Sequence, residues 1–378
     1  MTDHLIPFNR PVSLGTEGAR LVEAIVGHAH TASGGPSGAA CESWLTQQIG
    51  RPTLLTSSCT HALEMAALLL GIGPGDEVVV PAFTFVSTAN AFALRGATIR
   101  FVDVDAQGHI TPEAVAEAVS PRTRAVVAVH YGGTACDLVG LQAACGDVPL
   151  VEDAAQAFGA SLDGKALGAW GGLGALSFHE TKNVGCGEGG ALIVSDPRLL
   201  DRAYELRDKG TNRRRFLAGQ VDKYTWTGLG SSFGLPDLNA AYLLGQLEAA
   251  DAIAERRRHL HEAYMTAVAD AVTAAGGYIV GGPAARGTSN HHLFAIVLAD
   301  EGCRDRFIAH MRGRGVVTPF HYAALHLSPM GRACHRGPAL PTSERLSSCL
   351  VRLPLFYNLS DGDQARVIDA ALEALRGC

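Results

Sequence analysis

The 378-residue chain is 47% hydrophobic and 18% charged, with a net charge of −6. That length supports a large core and predicts one big domain with a smaller one beside it. The lack of a basic excess argues against a general nucleic-acid binder, although a local pocket for a small polyanion does not depend on net charge.

The opening MTDHLIPFNRPVSLGTEG has no basic stretch followed by an apolar run, so no secretory leader is expected. The apolar stretch around Leu63 to Ile72 is about half of what a bilayer span needs. Nine scattered cysteines, none spaced CxxC, read as reduced thiols and offer no disulfide or zinc framework. Together these features predict a cytoplasmic protein without membrane contact.

From about residue 50 to 195, short apolar runs alternate with helical patterns. Strands are predicted at Thr53–Leu55, Glu77–Val80, Thr98–Val102, Ala125–Val129, Pro149–Val151, Gly174–Phe178 and Ala191–Val194. Several, such as AVVAV and EVVVP, are apolar on both faces, which predicts an α/β fold with a mainly parallel sheet covered on both sides. Near Leu244 the pattern changes. GQLEAADAIAERRRHLHEAYMTAVADAV reads as one long amphipathic helix. After it come a strand in HHLFAIVLAD, a helix around Cys303–Arg312, a GVVTPF strand and a terminal helix from Gly362. The expected division is a large domain over 26–245 and a small α+β domain over 246–378, with segment 1–25 packing on the small one.

The chemistry concentrates between residues 150 and 190. VPLVEDAAQ ends a strand in Glu152-Asp153, and the next strand, GALSF, runs into His179-Glu180-Thr181-Lys182-Asn183. Ligands of open α/β sheets bind at the carboxyl ends of strands. A lysine amine for a Schiff base and a carboxylate for a pyridine nitrogen are what pyridoxal phosphate requires. The same pair also fits a buried salt bridge. GCGEGG matches GxGxxG as a string, but a strand follows it rather than a helix, so a dinucleotide fold is excluded on context. It fits better as a glycine-lined passage beside Lys182.

Upstream, a strand ends in Thr56-Ser57-Ser58-Cys59-Thr60 and a helix follows. Small hydroxyl residues at a helix N-terminus suit a phosphate, or serve as a plain cap. Phe83 and Phe85, in PAFTFVSTANA, lie where an aromatic could stack on a flat ring or belong to the core. Lys209 and Arg213–Arg215 form the one concentrated basic patch, either a solvated face or a diphosphate contact. His130, His179, His321 and His326 have no ligand spacing, and no metal is expected.

With these residues in place, the chain resembles the sugar-nucleotide aminotransferases of the DegT/DnrJ/EryC1/StrS family over essentially its whole length. PAFTFVSTANA, VEDAAQAFGA, ALSFHETKN, GEGG and RLPLFYNLS carry the likeness. Within the family it is most similar to enzymes that aminate C4 of TDP-4-keto-6-deoxy-D-glucose, through SSCTHALEMAALLLGIGPGDEV, FHETKN, GQVDKYTW and LGSSFGLPDLNAAYL. The resemblance implies a fold-type-I enzyme with pyridoxal 5′-phosphate, an L-glutamate donor and a homodimer with shared active sites.

It also implies roles. Lys182 would be the Schiff-base lysine and proton shuttle, Asp153 would pair with the pyridine nitrogen, and Gln156 would contact the ring hydroxyl. Phe85 would stack on the ring, and Ser58, Cys59 and Thr60 with Ser177 would hold the phosphate. Lys209, Asn212, Tyr224, His321 and His326 are the candidate substrate contacts. One departure stands out: many members carry Asn-Tyr-Arg where this chain has Ser232-Phe233-Gly234, so Ser232 would replace the partner subunit's asparagine at the phosphate. The product is left open between galacto and gluco configurations. C3 amination and a non-catalytic cofactor-binding protein are the alternatives. A dehydrating branch with histidine in place of the lysine is opposed by Lys182.

Overall fold

A computed structural model describes residues 5–281, 287–335 and 337–378. Its large sheet is built from β1 (Thr53–Thr56), β2 (Glu77–Pro81), β3 (Thr98–Val102), β4 (Thr123–Val129) and β5 (Leu150–Asp153). A short hairpin, β6 (Ser161–Leu162) and β7 (Lys165–Ala166), precedes the last two members, β8 (Leu173–Ser177) and β9 (Gly190–Val194). The seven strands lie in the order β1-β9-β8-β5-β4-β2-β3. Only β9 runs against its neighbours, pairing antiparallel with both β1 and β8. Every residue of β1, β2, β5, β8 and β9 is buried, as apolar strands covered on both faces should be.

Three antiparallel strands make a second sheet: β10 (Tyr278–Val280), β11 (Phe294–Val297) and β12 (Leu350–Leu353). Of these, the sequence pattern marks only the middle one. GVVTPF is not a strand; Val316 makes a single parallel bridge with Ile6, and Pro319 has no N–H with which to extend a ladder. Ile6 packs in the core beneath this small sheet, whereas Val12 packs in the large core and the helix Glu17–Val22 lies against the helix Asp237–Leu247. The N-terminal segment therefore crosses both cores.

The predicted long helix is two. Asp237–Leu247 ends before Ala249, which leaves helical geometry, and Ala250–Ala274 begins after it. No glycine or proline forces the break. The first helix packs on Pro36–Ile49 of the large core, the second on Asp361–Leu375 of the small one, and the bend lets each bury its apolar face.

The thiol reading also needs correction. Cys303 and Cys378 form a disulfide, with Cα atoms 5.1 Å apart, while the other seven cysteines are free. The helices Glu301–Gly313 and Asp361–Leu375 pack together and bring the two ends into contact. A sequence separation of 75 hides that proximity.

Candidate active site

The carboxyl ends of β2, β5 and β8 open into one cavity of about 540 Å³. Asp153, the last residue of β5, is 5% exposed and lines it. Its carboxylate accepts from Thr88 Oγ1 at 2.7 Å and from the Ala155 N–H at 3.1 Å. Thr84 Oγ1 lies 2.8 Å from Thr88 Oγ1, so two hydroxyls from the segment after β2 hold the acid. A buried carboxylate needs such partners.

Between β8 and β9 the chain doubles back. Glu180 N–H donates to Gly187 O, Cys186 N–H to Phe178 O, and Lys182 N–H to His179 O, all at 2.8–2.9 Å. The turn carries Lys182 into the cavity. Burial lowers the lysine's pKa, and Arg352 lowers it further, while Cys59 and Asp153 act the other way. The amine therefore loses its proton more readily than an ordinary lysine.

Opposite lies the N-terminus of the helix Cys59–Leu69. Ser58 caps it, its hydroxyl accepting from His61 N–H at 3.1 Å. Thr60 Oγ1 meets Ser87 Oγ at 2.8 Å. Gly190 of β9 comes so close that a Cβ there would lie 2.4 Å from Cys59 N. Free N–H groups at a helix start, facing a cavity that also holds a lysine and a buried acid, suit a phosphorylated ring.

Around the cavity stand Gln156, Tyr322, His292 and His321. Gln156 is fixed at both ends, its Oε1 accepting from Gly132 N–H at 2.7 Å and its Nε2 donating to Tyr322 OH at 2.9 Å. His292 Nδ1 is 2.9 Å from Asn183 Oδ1, and His321 Nδ1 is 2.9 Å from Tyr131 OH. Burial holds both histidines well below their usual pKa, helped for His292 by Lys182, Arg257 and Arg352 and for His321 by Arg352, Lys182 and His292.

Residues 13–372 match the model of the DegT/DnrJ/EryC1/StrS aminotransferase family. The chain belongs to that family. An aminotransferase, TlmJ, from Streptoalloteichus hindustanus is 34% identical over 99% of both chains, with a TM-score of 0.90. DesV of S. venezuelae, solved with a ketimine intermediate, is 30% identical over 98% of this chain and 99% of its own, with a TM-score of 0.87. A sugar aminotransferase of Streptococcus pneumoniae in its PLP form shares the fold at 22% identity, covering 99% of each chain with a TM-score of 0.88. As a member of the family the chain is an aminotransferase, and its cofactor is pyridoxal 5′-phosphate. The buried Asp153, the Lys182 amine and the helix start at Ser58 fit that group.

The structure brings Ser58, Cys59, Thr60, Phe85, Asp153, Gln156, Ser177, Lys182 and His321 to one cavity. Of the two phenylalanines, Phe83 is core and packs on Tyr131, whereas Phe85 is 54% exposed at the cavity rim, 6.0 Å from the Tyr322 ring. Other predicted residues do not reach this cavity. His326 is buried beside Glu344, 3.2 Å away. Asn212 closes its own loop, donating to Lys223 O and accepting from Thr225 N–H. Lys209, Tyr224 and Ser232 lie in the same outer region, with Ser232 bridged to Asp208. The basic patch is divided: Arg214 stacks on Tyr204, and Arg207, Arg213 and Arg214 line a separate cavity of about 250 Å³. Sequence reasoning missed Thr88, His292, Tyr322 and Arg352. Thr88 and Arg352 lie inside quoted family segments, but their spacing carries no signal of its own.

No helix among the described residues is long and apolar enough to cross a membrane. Nor do those residues contain a cluster of three or more histidine, cysteine or acidic side chains able to hold a metal ion.

Proposed function

We propose that this chain transfers the amino group of L-glutamate to C4 of TDP-4-keto-6-deoxy-D-glucose, giving a TDP-4-amino-4,6-dideoxyhexose and 2-oxoglutarate in the cytoplasm. The observation that carries the transamination is that Lys182, the buried Asp153 and the helix start at Ser58–Cys59 line one cavity. The sugar and its C4 position rest on the sequence resemblance.

Bound pyridoxal 5′-phosphate supplies an electron sink for the carbanion left when a C–H bond next to nitrogen breaks. Lys182, whose amine lines the cavity, would hold the cofactor and, as a neutral amine, would carry the proton that leaves the donor's Cα. Its lowered pKa favours the neutral amine that this transfer needs. Asp153 would hold the ring nitrogen in its protonated form, and Thr88 keeps Asp153 in place. Gln156 would reach the ring hydroxyl, Phe85 would cover the ring, and Ser58, Cys59, Thr60 and Ser177 would hold the phosphate.

The active unit in this reading is a homodimer. Lys209, Asn212, Tyr224 and Ser232 stand outside their own chain's cavity, on a stretch whose Leu217, Tyr224, Trp226 and Leu229 are exposed, Trp226 by 76%. Apolar side chains clustered on such a stretch favour cover by a second copy. They would then reach the partner's site as substrate and phosphate contacts, whereas His321 would meet the substrate in its own chain's cavity and the buried His326 would not.

Incubation of the holoenzyme with L-glutamate and TDP-4-keto-6-deoxy-D-glucose tests this, with the product read by mass and proton NMR. An aminodideoxyhexose confirms the reaction, and the couplings at C4 separate galacto from gluco products. Loss of the lysine-bound cofactor absorbance without any amino sugar would keep the aminotransferase and remove the substrate.

A further inference from the structure

Arg257, in the helix Ala250–Ala274, is 3% exposed and makes no ion pair among the described residues. Burial lowers its pKa to about 9, and no acid acts against that shift. Backbone carbonyls hold the cation instead. Its Nε donates to His291 O at 3.1 Å, and its Nη2 donates to His292 O. The fixed fork of a guanidinium suits two successive carbonyls, and a buried charge needs such partners. The segment so gripped is itself strained. His291 has φ 51°, a left-handed conformation uncommon for a residue with a side chain, so its surroundings must hold it there. The His291 ring supplies little of that hold: it packs on His261, centroids 4.8 Å apart, with Nδ1 buried and unpartnered.

We propose that Arg257 is a positioning residue for Lys182, acting through His292 and Asn183, a proposal that rests on the reading of Lys182 as the reacting amine. His292, the second residue of the clamp, lines the cavity. Its Nδ1 lies 2.9 Å from Asn183 Oδ1, and Asn183 Nδ2 donates to Asn290 O at 2.8 Å. Both ends of the Asn183 amide are thus held by the segment that Arg257 grips, and Asn183 is bonded to Lys182. The hydrogen bonds inside the Lys182 turn stop at Lys182 N–H and resume at Cys186 N–H. Between them, among the described residues, the Asn183 side chain supplies the hydrogen bonds to the rest of the protein. Arg257 is not one of the groups whose charge acts on Lys182, so its influence reaches the lysine along this chain of contacts. The helix of the small core thereby sets where the amine of the large core stands.

The test compares wild-type holoenzyme with Arg257→Met, Arg257→Lys, Asn183→Ala and the double variant Arg257→Met with Asn183→Ala. Amide hydrogen exchange is read over residues 179–187, with the helix Glu301–Gly313 of the small core as the control. Loss of the lysine-bound cofactor absorbance on adding L-glutamate, followed by stopped flow, gives a limiting rate and a half-saturating concentration for each protein.

In Arg257→Met, exchange over 179–187 should rise roughly ten-fold, with a smaller rise in Arg257→Lys and none in the control helix. The limiting rate should fall about ten-fold or more while half-saturation changes little, because a misplaced amine slows proton transfer. The double variant should be no slower than the slower single one, as two substitutions on one chain of contacts are not additive. Unchanged exchange over 179–187 in Arg257→Met overturns the proposal. Exchange raised equally in Glu301–Gly313 overturns it too and leaves Arg257 as a packing residue of the small core, and so do losses of rate that multiply in the double variant. If Arg257→Met does not fold, Arg257→Lys takes its place in the cycle and the same outcomes decide. If wild type keeps its absorbance with L-glutamate, the donor of the transamination reading is wrong, and the exchange over 179–187 still decides the role of Arg257.

Discussion

Gly190→Ala isolates the approach of β9 to the phosphate-facing helix start. Gly190 pairs with Thr56 across β1 and has no left-handed φ, so alanine is allowed there by its backbone. Space is the problem. The new Cβ would sit 2.4 Å from Cys59 N, 2.4 Å from Ser58 C and 2.7 Å from Ser58 O. Ordinary contact begins near 3.4 Å, so the Ser58–Cys59 peptide must retreat by about 1 Å. Overpacking of this size costs about 1–3 kcal/mol. If that cost falls on the holo state, where the peptide is needed to face the phosphate, affinity for pyridoxal 5′-phosphate drops by roughly 5- to 150-fold. The assay is equilibrium titration of apoenzyme followed by cofactor absorbance. Gly172→Ala, whose Cβ would meet nothing within 4 Å, is the control. A Gly190→Ala protein that binds cofactor within two-fold of wild type would refute the packing argument.

Thr88→Val removes the hydroxyl that donates to the buried Asp153 carboxylate; a hydrogen bond to a charged group contributes about 1.5–3 kcal/mol, so turnover should fall ten-fold or more with a matching loss of cofactor retention. In apoenzyme, Lys182→Met should change the pH dependence of stability. The lysine's lowered pKa means that, between that value and 10.5, the unfolded chain holds a proton the folded one has lost. Wild-type stability therefore rises with pH across this window relative to the methionine variant, and denaturant melts at pH 7 and pH 10 measure the difference. His261 is buried beside His291 and its pKa is lowered to about 4. Below 6.5 the unfolded histidine protonates first, so stability declines on acidification towards pH 4, by about 1.4 kcal/mol per pH unit where one proton separates the states. His261→Gln should flatten that acid slope, and equal slopes would refute the reading.

The large sheet was legible because its strands are apolar on both faces and end in turn residues. AVVAV and EVVVP have few other places to go in an α/β chain, and their observed bounds differ from the expected ones by one or two residues. The small sheet was not. β10 is three residues between glycines, and β12 merges with the helix Pro341–Cys349 before it. The bend after Leu247 was hidden for a different reason. LEAADA is helix-forming throughout, and only the competition of two cores for two faces of the same run breaks it. Likewise, nothing local in Cys303 or Cys378 foretells that two packed helices bring them together.

The site divides along the same line. Asp153 and Lys182 could be read because a carboxylate and a lysine at adjacent strand ends have a specific chemical use, and strand ends share one edge of the sheet. Arg352 could not, because its position depends on where the small sheet sits. In β12, Val351 and Leu353 turn into the small core, and alternation sends Arg352 the other way. A single strand in isolation gives that side to solvent, where an arginine is unremarkable. Only the packing of residues 8 and 320–322 around it makes the cation largely buried and aims it at Lys182's cavity. The half of the site that handles the reacting nitrogen is thus written in local motifs. The half that selects what is attached to that nitrogen depends on the arrangement of two cores, so substitutions at His292, His321, Tyr322 and Arg352 should alter substrate saturation before they alter cofactor binding.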